Sequence, residues 1–251
     1  MNINDFRIKQ GVLIKYRGHD AEVIIPNGVA EIGRDAFRNH AELEKLIIPE
    51  GVTKIGEEAF LECPRLQSVV LPSTLKVICR GAFMDCTALS EIQLNEGLSD
   101  IGGRAFEECK KIKCLVIPES VKLISGFAFS DCKGLKSIVF QGKTHIVGES
   151  VFDCCSAITE VIIPSGVVEI GRQWFSNCKR LKKITLPNTL ERINGYAFAH
   201  CTKLAEIEIP DSVTEIDSCA FHFCEEITIR ATSGSYAEQY AKENNIKVEA
   251  I

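Results

Sequence analysis

The chain has 251 residues, of which 45% are hydrophobic and 25% are charged, and its formal net charge is −5 at pH 7. This is the composition of an ordinary globular protein with enough apolar material for a core. The charges form no basic stripe of the kind that binds nucleic acid, and no run of 18 or more apolar residues could span a membrane.

The first twenty residues predict a cap. Two short apolar segments, Phe6-Arg7-Ile8 and Val12-Leu13-Ile14, lie on either side of Gly11, which is typical of a β-hairpin. The terminal coil of a repeat protein needs such a cover, because it otherwise presents unpaired strand edges and a bare core. We therefore expect residues 1–20 to form an N-terminal cap.

From about residue 21 to residue 229, one pattern recurs every 23 residues. Phenylalanine occurs at Phe37, Phe60, Phe83, Phe106, Phe129, Phe152, Phe175, Phe198 and Phe221. Isoleucine occurs at Ile32, Ile55, Ile78, Ile101, Ile124, Ile170, Ile193 and Ile216, with Val147 in the one gap. A 23-residue unit cannot bury its own apolar positions, but stacked units form a continuous core. The pattern therefore predicts a solenoid of nine coils.

Each repeat combines short extended pieces with a corner. The segment Leu46-Ile47-Ile48 alternates like a strand and ends at Pro49, which has no N–H to give to a sheet. Ile32-Gly33 and its equivalents indicate a second extended piece followed by a turn, and the segment from Ala36 to His40 predicts a helical or 3₁₀ corner. The expected fold is an α/β repeat solenoid, a right-handed coil with a parallel sheet.

Residues 230–251 predict a C-terminal cap. Ser235 and Glu238 have the spacing of a capping box, and Ile246-Lys247-Val248 predicts a returning strand. One face of the helix that would follow Ser235 is apolar: Tyr236, Ala237, Tyr240 and Ala241. We expect the whole chain, 1–251, to be a single repeat domain between two caps.

The cysteines follow the repeat. Three residues after eight of the phenylalanines lie Cys63, Cys86, Cys109, Cys132, Cys155, Cys178, Cys201 and Cys224, whereas His40 takes this place in the first repeat. A disulfide chain and a metal stack are alternatives, but side chains that point the same way suit the S–S torsion poorly. A column of buried free thiols is the favoured interpretation. Four cysteines lie outside it: Cys79, Cys114, Cys154 and Cys219.

Few residues suggest chemistry. His200, Cys201, Cys219, His222 and Cys224 form one Cys/His cluster, but it lacks the paired knuckles of a structural zinc site. No phosphate-binding glycine loop is found in a strand–helix context, and the carboxylates are scattered. We therefore expect no catalytic residues, no metal and no cofactor, and we expect Trp174 to serve packing.

The strands also present a row of outward side chains. In each repeat strand the last outward position gives Ile47, Val70, Gln93, Val116, Val139, Ile162, Thr185 and Glu208. An apolar patch with a charged rim marks an interaction site, although strand propensity alone also favours valine and isoleucine. The apolar members are the predicted partner-binding residues: Ile47, Val70, Val116, Val139 and Ile162.

The repeat unit resembles the BspA-type, or treponemal, class of leucine-rich repeats. The stretch from Ile48 to Leu66 carries its pattern I-P-x-x-V-x-x-I-G-x-x-A-F-x-x-C-x-x-L. The segments 11–16 and 233–246 are similar to the family's leading and closing segments. The resemblance implies a bacterial scaffold without catalytic residues, most often a surface or secreted protein that adheres to host matrix or to other cells.

The sequence thus predicts a non-catalytic binding module that contacts a protein or a glycan through its sheet face, with host or cell-surface adhesion as the expected role. The alternatives are a structural spacer of a larger surface assembly and a cytoplasmic protein-binding scaffold. The family implies a secreted or surface location, but no secretory signal is visible at the N-terminus. We expect a monomer that neither binds nucleic acid nor inserts into a membrane.

Overall fold

The computed structural model describes residues 2–142, 145–146 and 148–251. A 3₁₀ helix (Ile3–Asp5) precedes the first strand, and one α-helix, α1 (Tyr236–Glu243), lies near the C-terminus. The strands are β1 (Phe6–Lys9), β2 (Val12–Tyr16), β3 (Glu22–Ile24), β4 (Glu31–Ile32), β5 (Lys45–Ile47), β6 (Lys54–Ile55), β7 (Ser68–Val70), β8 (Val77–Ile78), β9 (Glu91–Ile92), β10 (Asp100–Ile101), β11 (Cys114–Ile117), β12 (Leu123–Ile124), β13 (Ser137–Phe140), β14 (His145–Ile146), β15 (Glu160–Ile162), β16 (Glu169–Ile170), β17 (Lys183–Thr185), β18 (Arg192–Ile193), β19 (Glu206–Glu208), β20 (Glu215–Ile216), β21 (Thr228–Ala231) and β22 (Lys247–Ala250).

The chain forms the predicted parallel solenoid, with two strands in each coil. The odd-numbered strands from β3 to β21, together with β22, form one side, which we call the sheet face. It is divided into three sheets in the orders β3-β5-β7-β9, β11-β13-β15-β17 and β19-β21-β22. The even-numbered strands from β2 to β20, together with β1, form a second side, in the sheets β1-β2-β4-β6-β8-β10-β12-β14 and β16-β18-β20. Most neighbouring repeat strands pair in parallel with residues 23 apart, as Leu46 pairs with Val69.

The third side of each coil differs from the prediction. The corner around Phe37 is a series of turns, not a helix, and Asp35 and Asn39 in it have φ of 55° and 60°. Alternate N–H groups bond to the next coil: Phe37 donates to the Ala59 carbonyl at 2.7 Å, and Asn39 donates to the Leu61 carbonyl at 2.8 Å. Left-handed residues at every fourth position stop a helix from forming and turn these N–H groups towards the neighbouring coil. The prediction of a helical or 3₁₀ corner was therefore wrong.

The repeated phenylalanines form one column through the core. Consecutive rings from Phe37 to Phe221 are stacked, with centroids 4.9–5.9 Å apart. A tyrosine closes each end: the Tyr16 ring lies 5.0 Å from Phe37, and the Tyr240 ring lies 6.3 Å from Phe221. The two caps thus continue the core, which leaves neither terminal ring bare.

The cysteine column is buried, and all twelve cysteines are free thiols. Each column thiol donates a hydrogen bond to the phenylalanine carbonyl of the preceding coil, as Cys63 does to Phe37 at 3.2 Å. Burial raises the pKa of the Cys224 thiol to about 11, so it stays protonated at neutral pH. A small apolar side chain with a weak donor suits this place, which explains the repeated cysteine.

Two coils depart from the 23-residue spacing. In the last coil, β21 pairs with β19 at a spacing of 22 residues, as Ile229 does with Ile207. The other departure is at β14. Val147, which the pattern placed in the isoleucine column, lies outside the described residues. Ile146 instead pairs with Ile124 and is buried, so this strand pairs one residue earlier than the pattern predicts. In the next coil the Trp174 side chain is buried, as predicted, and its Nε1 donates to the Gly148 carbonyl at 2.8 Å. The second side of the solenoid is divided at this point, between β14 and β16.

Both caps match their predicted elements. The strands β1 and β2 pair antiparallel, and Gly11 turns between them with φ of 76°. At the other end, the Ser235 side chain accepts a hydrogen bond from the Glu238 N–H and so caps α1, and β22 pairs in parallel with β21. The predicted apolar helix face is smaller than expected, because Tyr236 is exposed while Ala237, Tyr240 and Ala241 are buried.

Candidate binding surface on the sheet face

The predicted partner-binding residues lie in one row on the sheet face. Their exposed fractions are 42% for Ile47, 53% for Val70, 47% for Val116, 51% for Val139 and 62% for Ile162. The row also includes Ile24, 51% exposed, which the sequence analysis missed although β3 has the same Glu-Val-Ile pattern as β15. We call these six residues the aliphatic row.

Strand pairing aligns the members of the aliphatic row. Ile24 pairs with Ile47, and Ile47 pairs with Val70 on the next strand. Further along, Val116 pairs with Val139. On each strand, the residue directly before the row member points inward, because side chains alternate along a strand. Leu46, for example, is 1% exposed beside its exposed neighbour Ile47.

The other outward row of the same strands is polar. It consists of Glu22, Lys45, Ser68, Glu91, Cys114, Ser137, Glu160, Lys183 and Glu206. Lys45 and Glu22 form an ion pair at 2.8 Å, which raises the pKa of Lys45, and Lys183 lies 3.6 Å from Glu160. Such exposed pairs add little stability, but they give the aliphatic row a charged border.

The sheet face is broken twice, and a cavity lies at each break. The first break separates β9 from β11, beside Gln93, which interrupts the aliphatic row. The cavity there has a volume of about 850 Å³, and we call it the notch. It is lined by Ser68, Val69, Val70, Leu71, Ser90, Glu91, Ile92, Gln93, Leu94, Glu96, Cys114, Leu115, Val116 and Gln141.

The second break separates β17 from β19, and its cavity has a volume of about 610 Å³. Its lining includes Lys183, Glu208 and Arg230, of which the last two lie 3.6 Å apart as an ion pair. Charges of both signs therefore line the second cavity. Neither cavity could be predicted from the repeat pattern, because each depends on how far apart two successive coils lie.

The Cys/His cluster is an aromatic surface patch. The His200 ring stacks on Phe223 with centroids 4.4 Å apart, and the His222 ring lies 4.1 Å from the same phenylalanine. Cys201 and Cys224 belong to the buried column. Within residues 2–142, 145–146 and 148–251, no group of three or more His, Cys, Asp or Glu side chains could hold a metal ion.

Two cysteines outside the column have different surroundings. Cys114 is exposed on the sheet face at the edge of the notch. Cys154 is half-buried, and burial together with the nearby Asp153 carboxylate raises the pKa of its thiol to about 11. Cys114 is thus the accessible thiol of the candidate surface.

Comparison with known proteins identifies the repeat. The BspA type leucine rich repeat region matches this chain in six copies, over residues 21–133 and 101–228. The chain belongs to this family. BspA-type leucine-rich-repeat proteins are generally interaction modules without enzymatic activity, and the inward and outward positions described above follow the repeat of the family.

Solved bacterial structures have the same fold. A leucine-rich repeat protein of Treponema pallidum is 25% identical, with a TM-score of 0.59, and the match covers 81% of this chain and 90% of that one. A leucine-rich cell surface protein of Faecalibacterium prausnitzii is 21% identical with a TM-score of 0.53, over 100% of this chain and 92% of that one. A leucine-rich repeat protein of Eubacterium ventriosum is 18% identical with a TM-score of 0.52, over 84% and 87%.

A comparison with proteins of curated function found no match. In the described part of the chain, no helix has the length and apolar character needed to cross a bilayer.

Proposed function

We propose that this BspA-type protein is a non-catalytic protein-binding module that docks its partner on the sheet face. The observation that carries the proposal is the aliphatic row, which occupies six of the seven coil positions between Ile24 and Ile162. Exposed aliphatic side chains are ordinary when they are scattered, but a contiguous set with a polar border is typical of an interaction surface.

Strand propensity alone does not account for the row. Valine and isoleucine suit any outward strand position, so propensity would enrich both outward rows equally. The other outward row nevertheless has charged residues, serine or cysteine at every strand from β3 to β19. The restriction of exposed aliphatic side chains to one row therefore supports a role of this row in contact with a partner. The ion pair of Lys45 and Glu22 lies at the border of the row.

The size of the row suits a protein partner. Seven coils at a strand spacing of roughly 4.8 Å give a surface about 29 Å long. A standard protein interface covers about 800 Å² on each partner, so contact must extend from the aliphatic row onto its polar border. A glycan, which the sequence analysis left as an alternative partner, offers less apolar surface to such a row.

Adhesion at a cell surface is the role we propose for this contact. The Faecalibacterium prausnitzii structure is described as a cell surface protein, and the match covers the whole length of the present chain. We propose that the chain acts there as a monomer whose partner is a protein of the host matrix or of another cell.

The test compares Val139→Glu with Val168→Glu. Both valines are exposed, at 51% and 44%, but Val168 lies outside the sheet face, directly before β16. Labelled wild type and both variants are applied to immobilised matrix glycoproteins, to epithelial cell surfaces and to a glycan array. We expect wild type and Val168→Glu to bind the same proteins and Val139→Glu to lose them, because a carboxylate at the contact must be desolvated.

Circular dichroism and thermal melting establish that each variant is folded. Unchanged binding by a folded Val139→Glu variant overturns the sheet-face proposal. Binding to glycans without any protein overturns the partner class, and no binding to any surface favours a structural spacer.

A further inference from the structure

We propose that the notch between β9 and β11 is the specificity-determining pocket of this surface. It receives an apolar side chain from an extended protein segment that has a basic residue on each side of it. The inference rests on the proposed function, and it names the chemistry of the partner.

The notch exists because the sheet is interrupted. Where the sheet face is continuous, the backbone ties successive coils together at the start of each strand: the Ser90 N–H donates to the Gln67 carbonyl at 3.0 Å, and the Lys136 N–H donates to the Lys113 carbonyl at 2.8 Å. Between β9 and β11 this ladder is not continued. The two coils separate there, and the space of about 850 Å³ falls in the range of ordinary ligand pockets.

Apolar and polar side chains both line the notch, and valines, leucines and one isoleucine form its apolar part. Val70 lies on one side and Val116 on the other, and Leu94 follows the strand between them. Val70 and Val116 are about half exposed, so apolar surface remains open to solvent at the mouth of the cavity. A leucine-sized side chain that enters the notch would remove this surface from water.

The position of the notch favours a central contact. The aliphatic row has three members before it (Ile24, Ile47, Val70) and three after it (Val116, Val139, Ile162). The residues that contribute most to binding usually fill a pocket near the centre of an interface, while the surrounding contacts exclude water. A partner that covers the row would place its middle over the notch.

The charges of the notch determine which partner fits. Glu91 and Glu96 line it, and its lining includes no lysine or arginine from the part of the chain that the structure describes. Among the described residues, neither carboxylate has an ion-pair partner within 4.0 Å, whereas Glu208 in the second cavity is paired with Arg230. Both carboxylates therefore remain available to cations of a bound segment.

The spacing of these carboxylates suggests an extended segment. Glu91 begins β9 and Glu96 follows Asn95, so four residues lie between them and their Cα atoms are at most about 16 Å apart at 3.3 Å per residue. In an extended peptide, two arginines four residues apart are separated by about 13 Å, and their long side chains cover the rest. The residue midway between them would then face the apolar part of the notch.

Defined peptides test this proposal directly. The probe is fluorescein-labelled Gly-Arg-Ser-Leu-Ser-Arg-Gly, and its matched controls replace both arginines by glutamate or the leucine by serine. Titration by fluorescence polarisation compares wild type with the double variant Glu91→Gln/Glu96→Gln. The control double variant is Glu225→Gln/Glu226→Gln, in which two exposed carboxylates are changed on a turn outside the sheet face.

We expect the arginine–leucine peptide to bind best. Its affinity should fall about tenfold in Glu91→Gln/Glu96→Gln and should not change in Glu225→Gln/Glu226→Gln. It should also fall as salt is added, because exposed ion pairs are screened. Alkylation of Cys114 with N-ethylmaleimide places a bulky group at the edge of the notch and should abolish binding. The Cys114→Ser variant treated in the same way should still bind.

Three results would overturn the notch proposal. These are equal binding of the glutamate peptide, unchanged binding by Glu91→Gln/Glu96→Gln, and no detectable binding of any peptide. Alkylated wild-type protein that binds normally would move the site away from Cys114. If Val139→Glu loses the protein partner while the notch variants keep it, the notch fails and the sheet-face function stands. If Val139→Glu keeps the partner, the proposed function itself fails.

Discussion

Removal of one ring from the phenylalanine column is the sharpest test of the core. Phe129 is 0% exposed, and its ring is stacked between Phe106 at 5.4 Å and Phe152 at 5.7 Å, with planes within 3° of each other. Truncation of a buried phenylalanine to alanine costs about 3–5 kcal/mol of unfolding free energy. The rings above and below belong to coils fixed by backbone hydrogen bonds, so collapse into the space is limited and we expect the upper half of this range for Phe129→Ala.

Phe129→Leu separates the two contributions to this cost. Leucine keeps most of the apolar volume but loses both ring pairs, each worth about 0.5–1.5 kcal/mol, so we expect a loss of about 1–3 kcal/mol. Phe223→Ala is the matched control. Phe223 is 52% exposed outside the column and contacts only the rings of His200 and His222 among the described aromatic residues, so its truncation should cost less than that of Phe129.

Urea denaturation followed by circular dichroism measures all three variants. A repeat array can unfold in parts, so the m-values are compared first, and midpoints are converted to free energies only where the m-values agree. A Phe129→Ala midpoint equal to that of wild type would refute a continuous stacked core. A Phe223→Ala loss as large as that of Phe129→Ala would refute the assignment of the stability to the column.

Three further predictions concern the interior. Burial raises the pKa of the seven column thiols from Cys86 to Cys224, so above about pH 8.5 the unfolded chain releases protons that the folded chain keeps. The thiol contribution to the unfolding free energy should therefore be constant below that pH and should decrease as pH rises towards 11, with a smaller slope in Cys132→Ala; an equal slope in that variant contradicts the explanation. Thiol counting in denaturant without reductant should find most of the twelve cysteines free, and four or more disulfides would contradict the column. A Cβ added at Gly171 would overlap the Trp174 indole, so Gly171→Ala should cost about 1–3 kcal/mol in wild type but much less in Trp174→Ala. Additive melting shifts in the double variant would show that the two residues do not interact.

The local pattern predicted most of the candidate surface. Ile47, Val70, Val116, Val139 and Ile162 were placed outward by the alternation of their strands alone, and each is exposed. Ile24 could have been found by the same argument, because Glu22-Val23-Ile24 repeats the pattern of Glu160-Val161-Ile162. The pattern could not predict the notch. Gln93 is polar whereas the members of the aliphatic row beside it are apolar, but this difference does not indicate that the sheet is interrupted there.

The 23-residue period by itself determined the solenoid, the inward columns and the outward rows. The residues 23 positions before and after Phe129 or Cys132 occupy equivalent environments. The same residue type recurring at that interval therefore indicates a buried position in these two columns. The caps could be predicted equally well, because Gly11 acts through its positive φ and Ser235 through a hydrogen bond to Glu238, and both effects are local.

Features that depend on the distance between coils were decided only by the tertiary structure. The corner at Phe37 became a turn because its N–H reaches the Ala59 carbonyl of the next coil, 22 residues further on, and not a carbonyl of its own turn. Ile146 took the place expected for Val147 because pairing with Ile124 fixed the register. A periodic sequence specifies which residues share an environment, but the hydrogen bonds between coils determine how closely each pair of coils approaches and where a cavity opens.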